Sequence, residues 1–503
     1  MKIKKILPLM VITLLVSGCN STSGSSTSIT SSTPTSQTSS GGDDSGIVFL
    51  KEIYVSPDGK NDNSGTKDSP LSFAAAIQRL DKGGKIYLLE GTYKYSYPLS
   101  ISRDYESEHN VLSTSSIEEK LVEPVKDSNG DYVKVTFDFS SMGFASNNRG
   151  ITLNSNYWHI KGFEVTGAGD NGIYIGGNYN TVELIDINNC QDTGLQLGRA
   201  GSSYESMDEW PSYNTILNCT SHDNHDPSGE DSDGFACKLT TGVGNVFDGC
   251  IAYNNVDDGW DLYTKGESGA IGPVTIKNCV AFNNGMTTQG IGTSNSDGNG
   301  FKLGGEQISV PHKVINCVAF NNMATGFTDN SNPGTIYFEN CTAYNNGTRD
   351  DDGYNFSTCR DTQTSINYYK NCLSFCYGDV INPITKESHI ANSKDEYKGS
   401  GSYSAFYNGL SNLVIGTPTK VDYSSTTYRG TSSTYENPFV SVTSPQIMAT
   451  QGEPASSIND VHKNLRNKDG SVNLGDFLKV KETSPFYTMG ENGTPLGAIF
   501  QTK

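Results

Sequence analysis

Five polar residues, spread over three similar segments, have the types and spacing needed to bind a metal ion and to place a cationic amine near it. They are Asp233, Asp257, Asp258, Asp261 and Lys302. Carboxylates gathered in one place repel one another, and this repulsion is costly unless a cation joins them. Hard oxygen ligands at this density suit Ca²⁺, which takes about 6–8 oxygens. The four aspartates therefore predict a calcium site, with a lysine one repeat away.

Each of the three segments contains a glycine followed by an apolar, a variable and a second apolar residue. The glycines are Gly234, Gly259 and Gly300. Alternation of this kind is typical of a short strand with one buried face. The variable position then points outward, and it is Asp261 in the second segment and Lys302 in the third. We therefore expect these two side chains on the same outer face, in adjacent repeats.

The same pattern recurs before and after these segments, and a second repeat that contains a cysteine interleaves with it. The cysteines of the second repeat are Cys219, Cys250, Cys279, Cys317, Cys341 and Cys372. Repeat periods of about 20–50 residues, with short strands and Gly/Asn turns, are typical of a solenoid of stacked coils. Parallel strands in successive coils lie about 4.8 Å apart, so equivalent residues form columns. The chain is therefore predicted to be an all-β solenoid, with packed and mostly unpaired thiols in the cysteine column.

Each candidate residue also has a purely structural interpretation. An Asp-Gly pair can be a turn in which the aspartate bonds its own backbone, and a Lys302–Asp261 pair can be a surface salt bridge that contributes little stability. Two rival lysines, Lys238 and Lys265, lie close in sequence, but neither falls in the outward column beside the aspartates. Trp260 occupies a position held by Ile, Leu or Phe in other repeats, which predicts a core residue rather than a sugar platform.

The composition of residues 1–46 indicates an export signal and a tether rather than a folded domain. Residues 1–19 combine early lysines, an apolar run and small residues, as in a secretion signal. Their last four residues resemble a bacterial lipobox, which would make Cys19 the lipidated first residue of the mature chain. Residues 20–46 are rich in Ser and Thr and poor in apolar residues, so they predict a flexible tether. We expect an exported protein, lipid-anchored at the bacterial cell surface or secreted, that meets the membrane only through Cys19.

Residues 47–503 are predicted to form the folded domain. Residues 72–80 have the pattern of a short helix that stops at Gly83-Gly84 and covers the open end of the solenoid. The repeat fades from about residue 385, which predicts looser last coils or segments packed against the outside. The net charge of −19 argues against binding to nucleic acid or to an anionic membrane surface. The protein is expected to be a monomer.

Several motifs resemble those of the pectate lyases of polysaccharide lyase family nine. They are DSDGFACK, DDGWD and NGFKLGG in the central repeats, YVSPDG near the start of the folded domain, and NLRNKDG followed by NLGDF near its end. This resemblance implies a right-handed parallel β-helix that cleaves polygalacturonate, an acidic polysaccharide, by Ca²⁺-dependent β-elimination. By motif, the resemblance makes Lys302 the general base. The calcium ligands that it implies are Asp233, Asp257, Asp258 and Asp261.

Two other classes of protein share parts of this pattern. A β-helix glycoside hydrolase would need an acid/base pair of carboxylates, and the Gly-His-Gly and Arg-Ile-Lys motifs of polygalacturonase-like sequences are absent from this chain. A non-catalytic, glycan-binding β-helix at the cell surface would use Ca²⁺ only for structure. Such a protein would have no turnover to lose when Lys302 is replaced.

Overall fold

The computed structural model describes residues 48–102, 118–349, 353–359, 367–391, 393–397, 399–407, 412–415, 421–422, 430–431, 437–443 and 465–500. The predicted signal segment, with Cys19, and the predicted tether of residues 20–46 lie outside these residues. Within the described ranges, every helix is too short or too polar to cross a membrane.

Three long sheets carry the fold, and each complete coil passes from sheet 1 through sheet 2 to sheet 3. Sheet 1 contains the strands Leu50–Val55, Leu80–Leu88, Lys120–Pro124, Trp158–Lys161, Thr181–Glu183, Thr215–Leu217, Val246–Asp248, Thr275–Lys277, Lys313–Ile315, Tyr337–Glu339, Asn367–Lys370, Gly399–Ser402 and Val421–Asp422. Sheet 2 contains Gly91–Lys94, Val135–Asp138, Glu164–Thr166, Asp186–Asn188, Thr220–His222, Ile251–Tyr253, Val280–Phe282, Val318–Phe320, Thr342–Tyr344, Leu373–Phe375, Ala405–Tyr407, Asn412–Ile415 and Gly430–Thr431. Sheet 3 contains Leu99–Ile101, Ile151–Leu153, Ile173–Ile175, Leu195–Leu197, Phe235–Cys237, Trp260–Asp261, Phe301–Lys302, Phe327–Thr328, Tyr354–Thr358 and Lys394–Tyr397.

Nearly all neighbouring strands in these sheets pair in parallel, so the predicted all-β solenoid is confirmed as a parallel β-helix. The exceptions are antiparallel pairs among the last strands and one separate hairpin, Asp379–Ile381 with Ser388–Ile390. Short 3₁₀ turns span Met207–Glu209, Pro485–Tyr487 and Glu491–Gly493.

In-register pairing stacks like side chains in the core beneath sheet 3. Trp260 pairs with Phe235 on one side and with Phe301 on the other. The Trp260 ring is fully buried, and its centroid lies 4.9 Å from that of Phe235 and 4.7 Å from that of Phe301. Aromatic pairs at such distances contribute stability beyond their buried area. Trp260 is thus a core residue, as its repeat position predicts.

A ladder of buried asparagines holds the bend between sheet 2 and sheet 3. Asn224 Nδ2 donates to Asn255 Oδ1 at 2.8 Å, and Asn255 Nδ2 donates to Asn284 Oδ1 at 3.0 Å. The ladder continues through Asn322 and Asn346. Buried polar groups are costly unless they are paired, so the ladder fixes this bend in the coils from Asn224 to Asn346. The first two aspartates of the second segment follow the bend directly.

The six cysteines of the second repeat form a buried column of free thiols, as predicted. The residue before most of them is an asparagine with positive φ, such as Asn278 at 55° and Asn316 at 52°. Asparagine tolerates this left-handed conformation better than most other residues with a side chain. The repeat therefore places a small sulfur inside the coil directly after a tight turn.

A short helix packs on the first coils. It spans Phe73–Arg79, and the Ser72 side chain caps it by accepting a backbone hydrogen bond at 3.2 Å. Phe73 is buried and meets the ring of Phe137 edge-on, with 5.1 Å between centroids, so the helix covers core as a capping element would. The helix ends four residues before the glycine pair that was expected to stop it. Residues from Leu80 onward pair with the first strand of sheet 1, and this pairing overrides the helical pattern.

Residues 437–443 and 465–500 lie against the outer face of sheet 2. Phe477 meets the ring of Phe320 at 4.8 Å, and Phe439 meets the ring of Tyr344 at 5.7 Å. Arg466 reaches into the turns of two coils, where its guanidinium donates to backbone carbonyl oxygens at 2.8 Å. The C-terminal region was expected to form either looser last coils or segments packed against the outside of the solenoid. These residues pack against the outside.

Candidate active site

The site lies where a column of turns enters sheet 3. Asp233, Asp258 and Asn299 each precede the glycine of their segment. Gly234 N donates to Asp258 O at 2.9 Å, and Gly259 N donates to Asn299 O at 2.9 Å. A Cβ atom at Gly259 would lie only 2.6 Å from the carbonyl oxygen of the next repeat's glycine. Glycine is therefore required for the coils to approach this closely, and the residues before it stack as a column.

Three of the four predicted aspartates form one buried cluster. Carboxylate oxygens of Asp233, Asp257 and Asp258 all lie within 4.8 Å of one another, and the three residues are 0–2% exposed. Burial raises the pKa of Asp233 to about 6 and the pKa of Asp258 to about 8. Burial and the two neighbouring carboxylates also raise the pKa of Asp257 well above its ordinary value. Negative charge is therefore unfavourable in this cluster unless a cation compensates it.

The donor atoms of the cluster fit a hard divalent cation. Oδ2 of Asp258 is buried, and although the Lys302 ammonium lies 3.2 Å from it, it accepts no well-oriented hydrogen bond from the described residues. Such an oxygen is costly to bury, and coordination to a metal ion would satisfy it. Carboxylate oxygens are the ligands that Ca²⁺ prefers, and water or ligand oxygens complete its shell of about 6–8. The residues present thus fit the calcium ion that the sequence predicts.

The fourth predicted aspartate lies beside Lys238, one of the two rival lysines. Asp261 is the outward residue of its strand in sheet 3 and is 4% exposed. Lys238 Nζ lies 2.7 Å from Asp233 Oδ2 and 3.2 Å from Asp261 Oδ2. Lys238 lies outside the outward column, as expected, but its amine still reaches the aspartates. Lys238 follows the end of its strand, so the strand alternation does not set its direction, and its long side chain reaches the aspartate of the next coil.

Lys302 lies against the cluster rather than on an open face. Its Nζ is 3.2 Å from Asp258 Oδ2 and 2.9 Å from Asp297 Oδ2, and only 12% of its side chain is exposed. The expected exposure of Lys302 is therefore wrong, and its salt bridges are to these two carboxylates. Although burial lowers the pKa of the Lys302 amine, the surrounding carboxylates, Asp258 first, hold that pKa well above its ordinary value. An ammonium at this position compensates part of the cluster's negative charge.

The loop of residues 285–297 supplies the second of these carboxylates. Asp297 N donates to Asp257 Oδ1 at 2.7 Å, and Ser296 Oγ donates to the backbone carbonyl oxygen of Val256, directly before the second segment. Sequence reasoning missed Asp297, and it named Lys238 only as a rival lysine without anticipating its contacts with the aspartates. A second Asp-Gly pair stands directly before the Asn-Gly pair of the third segment, and this signal could have identified Asp297.

A half-buried histidine, His222, holds the other end of this loop through Asp223. His222 Nδ1 lies 2.7 Å from Asp223 Oδ2, and its Nε2 lies 3.1 Å from Asp186 Oδ1. Asp223 Oδ1 accepts hydrogen bonds from N and Oγ1 of Thr288, both at 2.6 Å. Burial lowers the pKa of His222, but the two carboxylates outweigh burial and raise that pKa to about 10. The imidazolium therefore ties sheet 2 to the loop that carries Asp297.

This charge network predicts a stability that depends on pH. Histidine in an unfolded chain has a pKa of about 6.5, so the raised pKa of His222 contributes stability that is complete below that pH and is lost as pH rises towards about 10. We expect the free energy of unfolding to fall across this window, and to fall less in His222→Gln. Urea denaturation at a series of pH values measures both slopes. Equal slopes for the two proteins would contradict the prediction.

Comparison with known proteins identifies the family. The model for the Pel9A-like, right-handed β-helix region matches residues 53–374. The chain is 40% identical over 449 residues to pectate lyase L of Paenibacillus polymyxa (strain SC2), which covers 89% of this chain and 85% of that protein. It is 33% identical over 346 residues to pectate lyase PEL9 of Emericella nidulans, which covers 63% of this chain and 78% of that protein.

Solved structures agree with these relatives. The crystal structure of pectate lyase Pel9A superposes with a TM-score of 0.62 at 26% identity and covers 91% of this chain and 98% of that chain. A rhamnogalacturonan lyase shares the fold, with a TM-score of 0.60 at 22% identity over 86% of this chain and 97% of that chain. The coils are right-handed, and the protein is an enzyme of the polysaccharide lyase class. The chain belongs to the Pel9A-like right-handed β-helix family, the pectate lyases of polysaccharide lyase family nine.

Proposed function

We propose that this lyase cleaves polygalacturonate by Ca²⁺-dependent β-elimination, with Lys302 as the general base. The observation that supports this most directly is the position of Lys302 Nζ, 3.2 Å from a carboxylate oxygen of the buried aspartate cluster. Relatives at 40% and 33% identity bear the name pectate lyase. Elimination from a uronate needs a cation for the sugar carboxylate and a base for the C5 proton, and this arrangement offers both.

The aspartates would hold the cation. The proposed ligands are Asp233, Asp257 and Asp258, with Asp261 as the fourth. When bound, Ca²⁺ supplies positive charge to the substrate carboxylate and makes the adjacent C5 proton more acidic. The net charge of −19 opposes the approach of a polyanion. A metal-binding cluster on sheet 3 reverses the local field where the polyanion must bind.

Lys302 takes the C5 proton when its amine is neutral. Asp258 stabilises the ammonium form less once it shares its charge with a cation, so the pKa of Lys302 then falls towards the working range. The electron pair of the broken C5–H bond forms a C4–C5 double bond, the C4–O4 bond breaks, and the oxygen of the leaving sugar takes a proton from solvent to form a hydroxyl. Asp297 lies 2.9 Å from Nζ and its side chain is 54% exposed. It therefore links the amine to solvent, and the proton can be transferred to water through it.

One assay tests the proposed reaction. Polygalacturonate is incubated with the enzyme and Ca²⁺, and the unsaturated uronide is followed by its ultraviolet absorbance. We expect product with Ca²⁺, none with excess chelator, and recovery when Ca²⁺ is restored. New reducing ends without ultraviolet absorbance would identify a hydrolase instead. Binding of polygalacturonate without any product would identify a glycan-binding protein, and full activity in excess chelator would contradict the role of the metal.

The protein is also proposed to be exported and held at the membrane by a lipid on Cys19. The lipobox-like residues Val16–Cys19 and the Ser/Thr-rich tether support this proposal. Cys19→Ser removes the thiol that would be modified, so we expect it to move the protein from the membrane fraction to the soluble fraction. Cell fractionation and immunoblotting measure the distribution, with Ser21→Ala in the tether as the matched control. Equal membrane retention of Cys19→Ser and the unaltered chain would contradict the anchor.

A further inference from the structure

An arginine lies on the outer face of sheet 3, several coils before the aspartate cluster. Tyr174 is the outward residue of its strand and stands in register with Gln196, which is followed in the column by Ala236 and then by Asp261. Three strand spacings separate Tyr174 from Asp261, which is roughly 14 Å. The carbon at the centre of the Arg149 guanidinium lies 3.4 Å from the centroid of the Tyr174 ring. The arginine and the cluster therefore share one face of the solenoid.

The Arg149 guanidinium is held in place over the Tyr174 ring. Stacking on Tyr174 fixes the plane of the group, and the Tyr174 hydroxyl is itself held by a hydrogen bond to Arg199 O at 3.0 Å. Nε of Arg149 is buried and donates no hydrogen bond to any described residue. The nearest carboxylate oxygen, Asp170 Oδ2, is 3.6 Å away and accepts a backbone hydrogen bond from Asn147 at 2.5 Å instead. The side chain is 24% exposed, so a ligand can reach it.

We infer that Arg149, stacked on Tyr174, binds a carboxylate of the polyuronate chain at a subsite several sugars away from the cleaved bond. The inference rests on the proposed function. A polyuronate bears one carboxylate on each sugar, and in a chain of net charge −19 each bound carboxylate needs a local cation. The guanidinium fork matches a carboxylate with two parallel hydrogen bonds. Stacking orients the fork before the substrate arrives, which reduces the entropy lost on binding.

The alternative role of Arg149 is to neutralise Asp170 within the fold. A guanidinium has five N–H donors, and the 3.6 Å contact to Asp170 engages none of them in a hydrogen bond. A purely structural pair predicts that replacing Arg149 changes stability and leaves substrate affinity alone. A subsite predicts the reverse, and it also predicts that the effect depends on the length and charge of the ligand.

The test measures binding without turnover. Hexagalacturonate is titrated by calorimetry, with Ca²⁺ present, into Lys302→Ala and into the same variant carrying Arg149→Met. We expect affinity to fall about tenfold or more, as for a lost hydrogen bond to a charged group, and the affinity for an uncharged galactose hexamer to stay unchanged. Arg149→Lys should restore only part of the affinity, because an ammonium lacks the fork. Lys277→Met is the matched control, since Lys277 pairs with Asp248 on sheet 1 at 3.0 Å, and it should leave affinity unchanged.

Turnover with Lys302 intact then locates the subsite. Arg149→Met should lower kcat/KM for hexagalacturonate and longer chains and leave kcat/KM for trigalacturonate nearly unchanged, because a trimer bound at the cluster does not reach Arg149. Equal affinities in the calorimetric pair, or the same loss at every chain length, would overturn the subsite. The outcome is separable from that of the proposed reaction. If the unaltered enzyme forms no unsaturated product but hexagalacturonate binding still depends on Arg149, the reaction is wrong and the subsite stands.

Discussion

Replacement of Lys302 by alanine is expected to slow elimination by about 10²–10⁴-fold, the range that a general acid or base contributes. The variant keeps the aspartates that would bind Ca²⁺ and loses the amine that would take the C5 proton. Initial rates of unsaturated-product formation at saturating Ca²⁺ measure the loss. Calcium titration and thermal melting with Ca²⁺ present are the controls, because the Lys302 side chain is only 12% exposed and bridges two carboxylates. A rate within about fivefold of the unaltered enzyme would refute the assignment.

The Lys302→Arg variant separates a base from a salt bridge. Arginine can keep the contacts to Asp258 and Asp297, but it stays protonated and cannot accept a proton. We therefore expect Lys302→Arg to be almost as slow as the alanine variant, and the unaltered enzyme to gain rate with pH through the mildly alkaline range until its amine is fully neutral. If the arginine variant is nearly as fast as the unaltered enzyme, the base is another group. Lys238, 2.7 Å from Asp233, is then the next candidate.

Asp258→Asn is expected to weaken Ca²⁺ binding by at least about 100-fold, because calcium affinity depends on the number of charged ligands. Even the loss of a residue that only hydrogen-bonds to a metal ligand lowers metal affinity by about 10–100-fold. Asparagine preserves the shape of the side chain and removes its charge from the cluster. Calcium titration by calorimetry measures the change, and elimination activity should fall with it at low Ca²⁺. Asp248→Asn is the matched control, because Asp248 is a carboxylate of sheet 1 that pairs with Lys277. An unchanged calcium affinity in Asp258→Asn would rule out this residue as a ligand.

Without Ca²⁺, the same Asp258→Asn substitution should make the fold more stable, although it weakens calcium binding. The pKa of Asp258 is raised to about 8 in the fold, whereas that of an unfolded aspartate is about 3.9. Its ionisation therefore opposes folding increasingly as pH rises from about 4 to about 8. In the presence of chelator at neutral pH, we expect Asp258→Asn to melt at a higher temperature than the unaltered protein. We also expect it to lose the rise in melting temperature that Ca²⁺ gives the unaltered protein. A lower melting temperature for the variant in chelator would contradict this account of the cluster.

Repeat spacing was sufficient to place the aspartates and Lys302 near one another. Strands in adjacent coils pair in register, so Asp261 stands directly beside Lys302 in sheet 3. Residues at the same position in consecutive repeats are therefore neighbours in the folded protein. The buried column that contains Trp260 follows for the same reason, since side chains along a strand alternate between the two faces.

Contacts made by turns could not be read from the repeat. Lys238, Asp297 and Arg149 all lie outside strands, in segments whose lengths differ from coil to coil, so the alternation assigns them neither a face nor a partner. Asp258 raises the pKa of the Lys302 amine most, and Asp297, which the loop of residues 285–297 brings to the amine, adds to that rise.

The sequence by itself determined which strand residues share a face, because alternation along a strand and pairing between coils are local and regular. Only the tertiary structure decided which loop residues meet that face. A loop follows the path set by its hydrogen bonds to distant coils, such as those from Thr288 to Asp223. Such bonds join residues far apart in the chain, and no periodicity relates their positions.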